Sequence, residues 1–481
     1  MDLLQIFVLT LLSTPFMRFV PSGWRPWGLL VGSIVVVAWF FADGMLGALD
    51  LVLVAGSVVM TVVVWSVVRV PPDGSEQSGQ QTREDRLAMG LMVGVLLFLV
   101  AYSLVWGDPS TRYLILTGTG MLGVAAAALP VVFSPSADQD KSTANRTALF
   151  LILLIILILV IIKIPATASL FGFALDWQAP LLTMASPFVW LGISYMAFRL
   201  IAVLLDFRAG RLPKEGIRLR DMAVYVLFFP AFTAGPIDRA QRFILDLQSS
   251  SELDTDRFVE GTGRILVGVF KKFVVADSLA FVAMSPTLVE QTTTTSGLWL
   301  LLYVYALQIY LDFSGYSDVA IGLGRLYGIK LPENFDRPYT QRNIQQFWQR
   351  WHITLSTWFR IYFFTPLSRA LIRSRYKLPQ WSIVLICQLA TMTLIGLWHG
   401  ATLNFALWGL WHGVGLFVHK TIADNTKGWH RRVTVRTWSR RLSYGFSVLI
   451  TFHFIALGWV FFALPDTPTA LNMLARLVGL N

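Results

Sequence analysis

Two of the six histidines in this chain lie where an imidazole can work on a hydroxyl. His352 sits in FWQRWHITLSTWFR (residues 347–360) and His399 in GLWHGATLNFALWG (residues 396–409), both among tryptophans and apolar residues. In such surroundings an imidazole is easily held neutral yet takes a proton near pH 7, which suits base chemistry where bulk water is scarce. Neighbouring side chains can supply hydrogen bonds or walls: Arg350 and Ser356 beside His352, and Trp398 and Asn404 beside His399. Asp312 and Tyr316, in the apolar run IYLDFSGYSD, are further supporting candidates, because ionisable groups inside such runs usually face protein or a water-filled cavity. The pentapeptide GLWHG occurs twice, at residues 396–400 and 409–413, and gives His399 a near twin in His412. Along one continuous helix the two would be about 20 Å apart. They can share a site only if that helix breaks, and the spacing leaves open which of them acts.

The elements that carry these residues are membrane helices. Of 481 residues, 55% are hydrophobic and 14% charged, where a soluble protein is about a quarter charged. Runs such as 51–68, 87–106, 149–162 and 446–462 approach the roughly 20 apolar residues a spanning helix needs, and the whole chain offers about 11 to 13 such segments. The expected fold class is therefore all-α, a polytopic membrane protein. The opening 20 residues lack a basic lead and a small-residue cleavage site, so they read as a retained first helix. Polar stretches at 71–86 and 134–146 have linker composition. The second separates an N-terminal helical annex (1–135), without evident chemistry, from a core (147–465) and a short tail (466–481).

The net charge of +11 does not point to nucleic acid, because the excess is localised beside membrane spans. Residues 325–377 hold ten Lys or Arg against two acids, and residues 420–441 hold seven against one. Such loops collect on the cytoplasmic side, where they can also attract an anionic donor, and the two apolar segments between them keep both on that side. The loop 206–221 is a third candidate. The single cysteine, Cys387, rules out an internal disulfide and a cysteine-based metal site, and its apolar run argues for packing. No metal is expected. On a helical wheel Ile344, Phe347, Trp348, Trp351, Leu355, Trp358, Phe359 and Tyr362 share one arc of about 120°, which predicts an amphipathic helix over 343–364 that lies along the membrane surface or enters it at a shallow angle.

Four segments in order resemble the membrane-bound O-acyltransferase family, in particular the bacterial branch of alginate O-acetyltransferases and the D-alanyl transfer protein of teichoic acid synthesis. They are FFPAFTAGPIDR (228–239), LQIYLDFSGYSDVAIGLGRLYGIKLPENFDRPY (307–339), the RWH stretch and LIGLWHGATLNFALWGLWHG (394–413). The resemblance implies a ring of tilted helices around a tunnel, with interfacial amphipathic helices, and the catalytic histidine at a constriction. It assigns that part to His399, a second catalytic part to His352 and a structural part to His412. Ile361 stands where alginate-type members tend to carry an acid, and the Gly-Gly-Asn stretch that follows in them is missing, which argues against alginate itself as acceptor.

What the family implies for function is transfer of a short acyl group, acetyl first, from a cytoplasmic thioester to a hydroxyl of an extracytoplasmic polysaccharide or wall polymer. The donor would be acetyl-coenzyme A or an acyl-carrier thioester, and no cofactor would be permanently bound. An extracytoplasmic, esterase-like partner protein would complete delivery, and the enzyme would sit in the bacterial inner membrane. D-alanyl transfer from a carrier protein is the alternative within the family. A secondary transporter is the alternative outside it, disfavoured because the chain shows no pair of related halves with broken helices.

Overall fold

The computed structural model describes residues 1–41, 48–69, 76–106, 141–163, 187–249, 253–433 and 437–480. Within them every regular element is a helix. Six helical stretches are long and apolar enough to cross a membrane: Ser22–Phe40, Gly79–Tyr102, Lys141–Ile161, Thr295–Leu326, Gln380–His399 and Arg441–Ala463. The chain is thus an all-α, multi-pass membrane protein. The higher number expected from the sequence draws in part on residues 107–140 and 164–186, which lie outside the described residues, as does most of the boundary expected near residue 135. The 71–86 linker is partly helical, since a helix begins at Glu76.

Packing divides the chain into two compact units, Met1–Ile265 with Val319–Pro332, and Leu266–Asp318 with Glu333–Asn481. The first contains α1 (Leu3–Phe19), α2 (Arg25–Phe41), α3 (Ala48–Val68), α4 (Glu76–Trp106), α5 (Lys141–Lys163), α6 (Pro187–Arg208), α7 (Leu219–Leu227) and α8 (Ala240–Ser249). Every residue of α7 is buried, against α2, α3, α4 and α8, so its helix ends need partners that water cannot provide. Asp85 accepts from the Leu219 backbone N–H at 2.8 Å at one end. At the other, the buried Arg199 guanidinium donates to the carbonyls of Val226 (2.8 Å) and Ala231 (2.5 Å). Hydrogen bonds to a charged group are worth about 1.5–3 kcal/mol each, so one arginine secures the turn that opens the 228–239 motif.

In the second unit α9 (Thr295–Leu326) continues beyond its boundary. The unit's other main helices are α10 (Ile344–Trp348), α11 (Ile353–Phe359), α12 (Gln380–His399), α13 (Leu403–Val433), α14 (Thr437–Ala463) and α15 (Thr467–Leu477). Helices α12 and α13 form an antiparallel hairpin whose backbones touch. A Cβ on Gly396 would lie 2.1 Å from the Phe405 carbonyl oxygen, and one on Gly409 would lie 2.4 Å from that of Met392. The small residues at 396 and 409 allow this approach, as they do wherever membrane helices associate through dispersion contacts. The connection is only Gly400, Ala401 and Thr402. The condition for the two GLWHG copies to come together is thus met: the helix breaks between them, and the chain doubles back.

Gly396→Ala must push the hairpin apart and is expected to lower stability by about 1–3 kcal/mol or more. Gly263→Ala, with nothing within 4 Å of the added carbon, is the matched control. Thermal unfolding in detergent checks both: equal midpoints for the two variants would refute the close-packing account.

Candidate functional site

His352 does not lie on a continuous surface helix. Helix α10 ends at Trp348, residues 349–352 form a turn, and α11 begins at Ile353, followed by a wider π-helical turn over Arg360–Phe364. The apolar arc read from the wheel is real as a buried surface but not as a lipid-facing one: Ile344, Phe347, Trp348, Trp351, Leu355 and Phe359 are all buried in protein. Trp358 and Tyr362 are half-buried.

The break has a cause in named groups. His352 has φ 43° and ψ 56°, a left-handed conformation that costs a residue with a Cβ and persists only when its surroundings hold it. Asn334, fully buried, does so. Its carbonyl accepts from the Ile353 N–H (2.9 Å), its Oδ1 accepts from the Thr354 hydroxyl (2.6 Å), and its Nδ2 donates to Ser317 Oγ (3.2 Å). The His352 ring stands edge-on to Phe313 at 4.7 Å and lies 6.5 Å from Phe335. Three sequence segments, DFSG, PENFD and RWH, therefore meet at one imidazole. Burial drives its pKa down to about 3, so it is neutral at physiological pH.

His399 is the last residue of α12 and is only partly buried. Four rings box it: Trp398 at 4.5 Å, Phe462 at 5.0 Å, Trp408 at 5.6 Å and Phe405 at 6.3 Å. A run of aromatic contacts links the two histidines through Phe335, Trp351, Trp459 and Phe462, with successive centroids 5.1, 5.1 and 5.4 Å apart. His412 is fully buried, 4.9 Å from Trp408 one turn earlier on the same helix, so the helix break places both histidines of the GLWHG repeat against the same indole.

Among the supporting candidates, the Trp398 ring lies against that of His399. Asn404 does not face an open site. Its amide is spent on holding α13 to the α14–α15 turn, donating to the Leu464 carbonyl at 2.9 Å and accepting from Thr467 Oγ1 at 2.7 Å. Asp312 pairs with Lys272, and Arg350 with Asp336, in contacts that occupy both charges. Lys271 likewise pairs with Asp318, at 2.7 Å. Ser356 is half-buried, one turn into α11, with its hydroxyl 3.4 Å from the Trp351 carbonyl. Tyr316 is half-buried one turn beyond Asp312 on α9. Asn334, Trp408, Trp459 and Phe462 were not anticipated. Trp408 alone carried a sequence signal, since it stands one helical turn before His412. Among the described residues no cluster of three or more His, Cys, Asp or Glu side chains assembles a metal site.

The model of the membrane-bound O-acyltransferase family matches residues 133–464, more than half of the chain. The chain belongs to the membrane-bound O-acyltransferase family. It is 38% identical over 275 residues to a probable alginate O-acetylase of Pseudomonas syringae, covering 56% of this chain and 48% of that protein. It is 36% identical over 266 residues to a peptidoglycan O-acetyltransferase of Helicobacter pylori (54% and 47%), and 32% identical over 281 residues to a teichoic acid D-alanyltransferase of Bacillus subtilis (57% and 68%). The chain thus spans about half the length of the first two relatives. All four segments that carry the resemblance lie inside the region the family model matches.

A histidine held neutral by burial ties stability to pH. Its folded pKa lies below the unfolded value of about 6.5, so its contribution is full above that value and is lost as pH falls toward about 3. The unfolding midpoint is expected to drop on acidification below about pH 6.5, and His352→Gln to reduce the slope by about one proton. An unchanged slope in the folded variant would contradict this.

Proposed function

We propose that this chain transfers a short acyl group, acetyl in the first instance, from a thioester donor to a hydroxyl, with His399 as general base. The observation that carries this reading is the difference between the histidines. His399 stands at a helix end and is partly accessible, whereas His352 and His412 are sealed in protein. A base that must meet two substrates needs access, and the aromatic box keeps it in a low-dielectric setting where proton transfer and the developing charge are felt strongly.

The steps balance without further reagents. A neutral imidazole nitrogen of His399 accepts the proton of the acceptor hydroxyl as the oxygen attacks the thioester carbonyl. The tetrahedral intermediate collapses with cleavage of the C–S bond, and the imidazolium returns the proton to the departing thiolate. A thiolate leaves readily, so the reaction itself calls for neither a metal nor a covalent enzyme intermediate. Ester, thiol and neutral His399 result. His352, buried and in a left-handed turn, supports the geometry: it fixes the RWH turn and, through Phe335, Trp351 and Trp459, the aromatic wall that ends at His399.

The three relatives named above carry acyl groups to three different polymers according to their names, and two of those names specify transfer to oxygen. We therefore take the acceptor to be a hydroxyl of an extracytoplasmic polysaccharide or wall polymer, and the donor to be acetyl-coenzyme A at the cytoplasmic face, with a partner protein completing delivery. The basic stretches 325–377 and 420–441 support an anionic donor on that side. We take the enzyme to sit in the bacterial inner membrane.

With purified full-length protein and radiolabelled acetyl-coenzyme A, His399→Ala is expected to lower acyl transfer by about 10²- to 10⁴-fold while the unfolding midpoint stays near that of the parent. Near-normal turnover in the folded variant would overturn the assignment of the base. Turnover only with a D-alanyl carrier thioester would replace acetyl by D-alanyl.

A further inference from the structure

The reading above leaves His412 without work, yet its surroundings are the least ordinary in the second unit. It is wholly buried, and neither ring nitrogen has a hydrogen-bond partner in the protein. Two neighbours share that condition: the indole Nε1 atoms of Trp348 and Trp408 are also buried and unpartnered. The three rings pack against one another, with His412 5.2 Å from Trp348 and 4.9 Å from Trp408, and the two indoles 5.7 Å apart. Gly458 closes the cluster: a Cβ there would come within 2.8 Å of His412 Nε2, so this nitrogen faces a wall with no side chain.

The donor and acceptor count shows what is missing. Each indole only donates, and a neutral imidazole has one donor and one acceptor, so the group carries three donors and one acceptor. Buried polar groups left unpaired are costly, and more so in a chain surrounded by lipid. A small molecule that both accepts and donates resolves the deficit. Water does this, accepting from the indoles while donating to the free imidazole nitrogen, and buried water typically makes about three such bonds.

We propose that Trp348, Trp408 and His412 bound a buried hydration site behind His399, and that His412 is a positioning residue of the acyl-transfer site. The water ties His412 to the indole of Trp408, and the Trp408 ring stands edge-on to His399 at 5.6 Å and 84°. Loss of that tie frees Trp408 to turn and loosens the box around the base. The positioning half of this inference rests on His399 being the base; the hydration half does not.

The test uses the full-length protein in nanodiscs with His412→Phe and His412→Gln. If the site were dry, Phe would remove unpaired polar atoms and leave the unfolding midpoint unchanged or raised. If it is hydrated, Phe lowers the midpoint by about 2 °C or more, and Gln, which keeps a donor and an acceptor, recovers most of the loss. For positioning, Phe is expected to lower kcat about tenfold with the donor KM unchanged, and Gln to stay within about threefold of the parent. An unchanged or raised midpoint overturns the hydration site, and an unchanged kcat overturns the positioning role. A parent protein without acyl transfer would sink the proposed function while the midpoints still decide hydration. Should the Phe variant not fold, a density map of the parent at water-resolving resolution decides instead: ordered peaks about 3 Å from both indole nitrogens support the site, and their absence overturns it.

Discussion

Backbone contact between α12 and α13 is the constraint on which the arrangement around His399 depends. Lipid gives apolar helices no reason to leave it, so the pair is held by dispersion over surfaces close enough to count, and close approach needs residues without side chains. Gly396 and Gly409 provide it, and each would collide with a facing carbonyl if it carried a Cβ. The consequence reaches beyond the hairpin. A tight antiparallel register demands a short connection, the connection ends α12 at His399, and the return strand of helix brings Trp408 back against it. Access, which a histidine in mid-helix would have lost to its neighbours, follows from this termination.

The second organising factor is the dry, aromatic character of the interior. Imidazoles embedded among Phe and Trp rings are favoured in the neutral form, which is the form a base must have before it acts. Three histidines in one unit nevertheless differ in kind. His352 is locked by Asn334 into a turn and spends its ring on packing against Phe313. His412 shares a wall with two unsatisfied indoles. Of these three, His399 alone combines aromatic surroundings with partial exposure.

Much of this was legible in the residues. The apolar runs gave the helices, the glycine spacing gave the close contact, and the WHG and RWH segments gave the family. What was not legible came from context that periodicity does not contain. The wheel over residues 343–364 found the correct apolar arc but assigned it to lipid, because a wheel cannot tell a membrane from a protein interior and cannot see a left-handed residue at its centre. Whether His399 and His412 come together depended on a helix break that their spacing left open, and the break at 400–402 supplies it. Asn404 is a supporting candidate in the sequence because it stands close to His399 and can hydrogen-bond. Its partners, Leu464 and Thr467, are about 60 residues further on, beyond any local pattern.

Intramembrane charges illustrate the same divide between what stabilises and what reacts. Lys271, Lys272, Asp312 and Asp318 interrupt apolar sequence and invite a functional reading, yet they neutralise one another in two pairs between neighbouring segments. Arg199 is spent on carbonyls at the end of α7. For the buried Arg199 such pairing is what burial requires, since an ion without a partner would not remain ionised there. A group so engaged is poorly placed to move a proton during turnover, because releasing it would restore the full cost of the unpaired charge left behind. Reaction chemistry in this interior therefore falls to side chains that can gain and lose a proton from an uncharged resting state. The base proposed above, the partly accessible imidazole of His399, is a side chain of that kind.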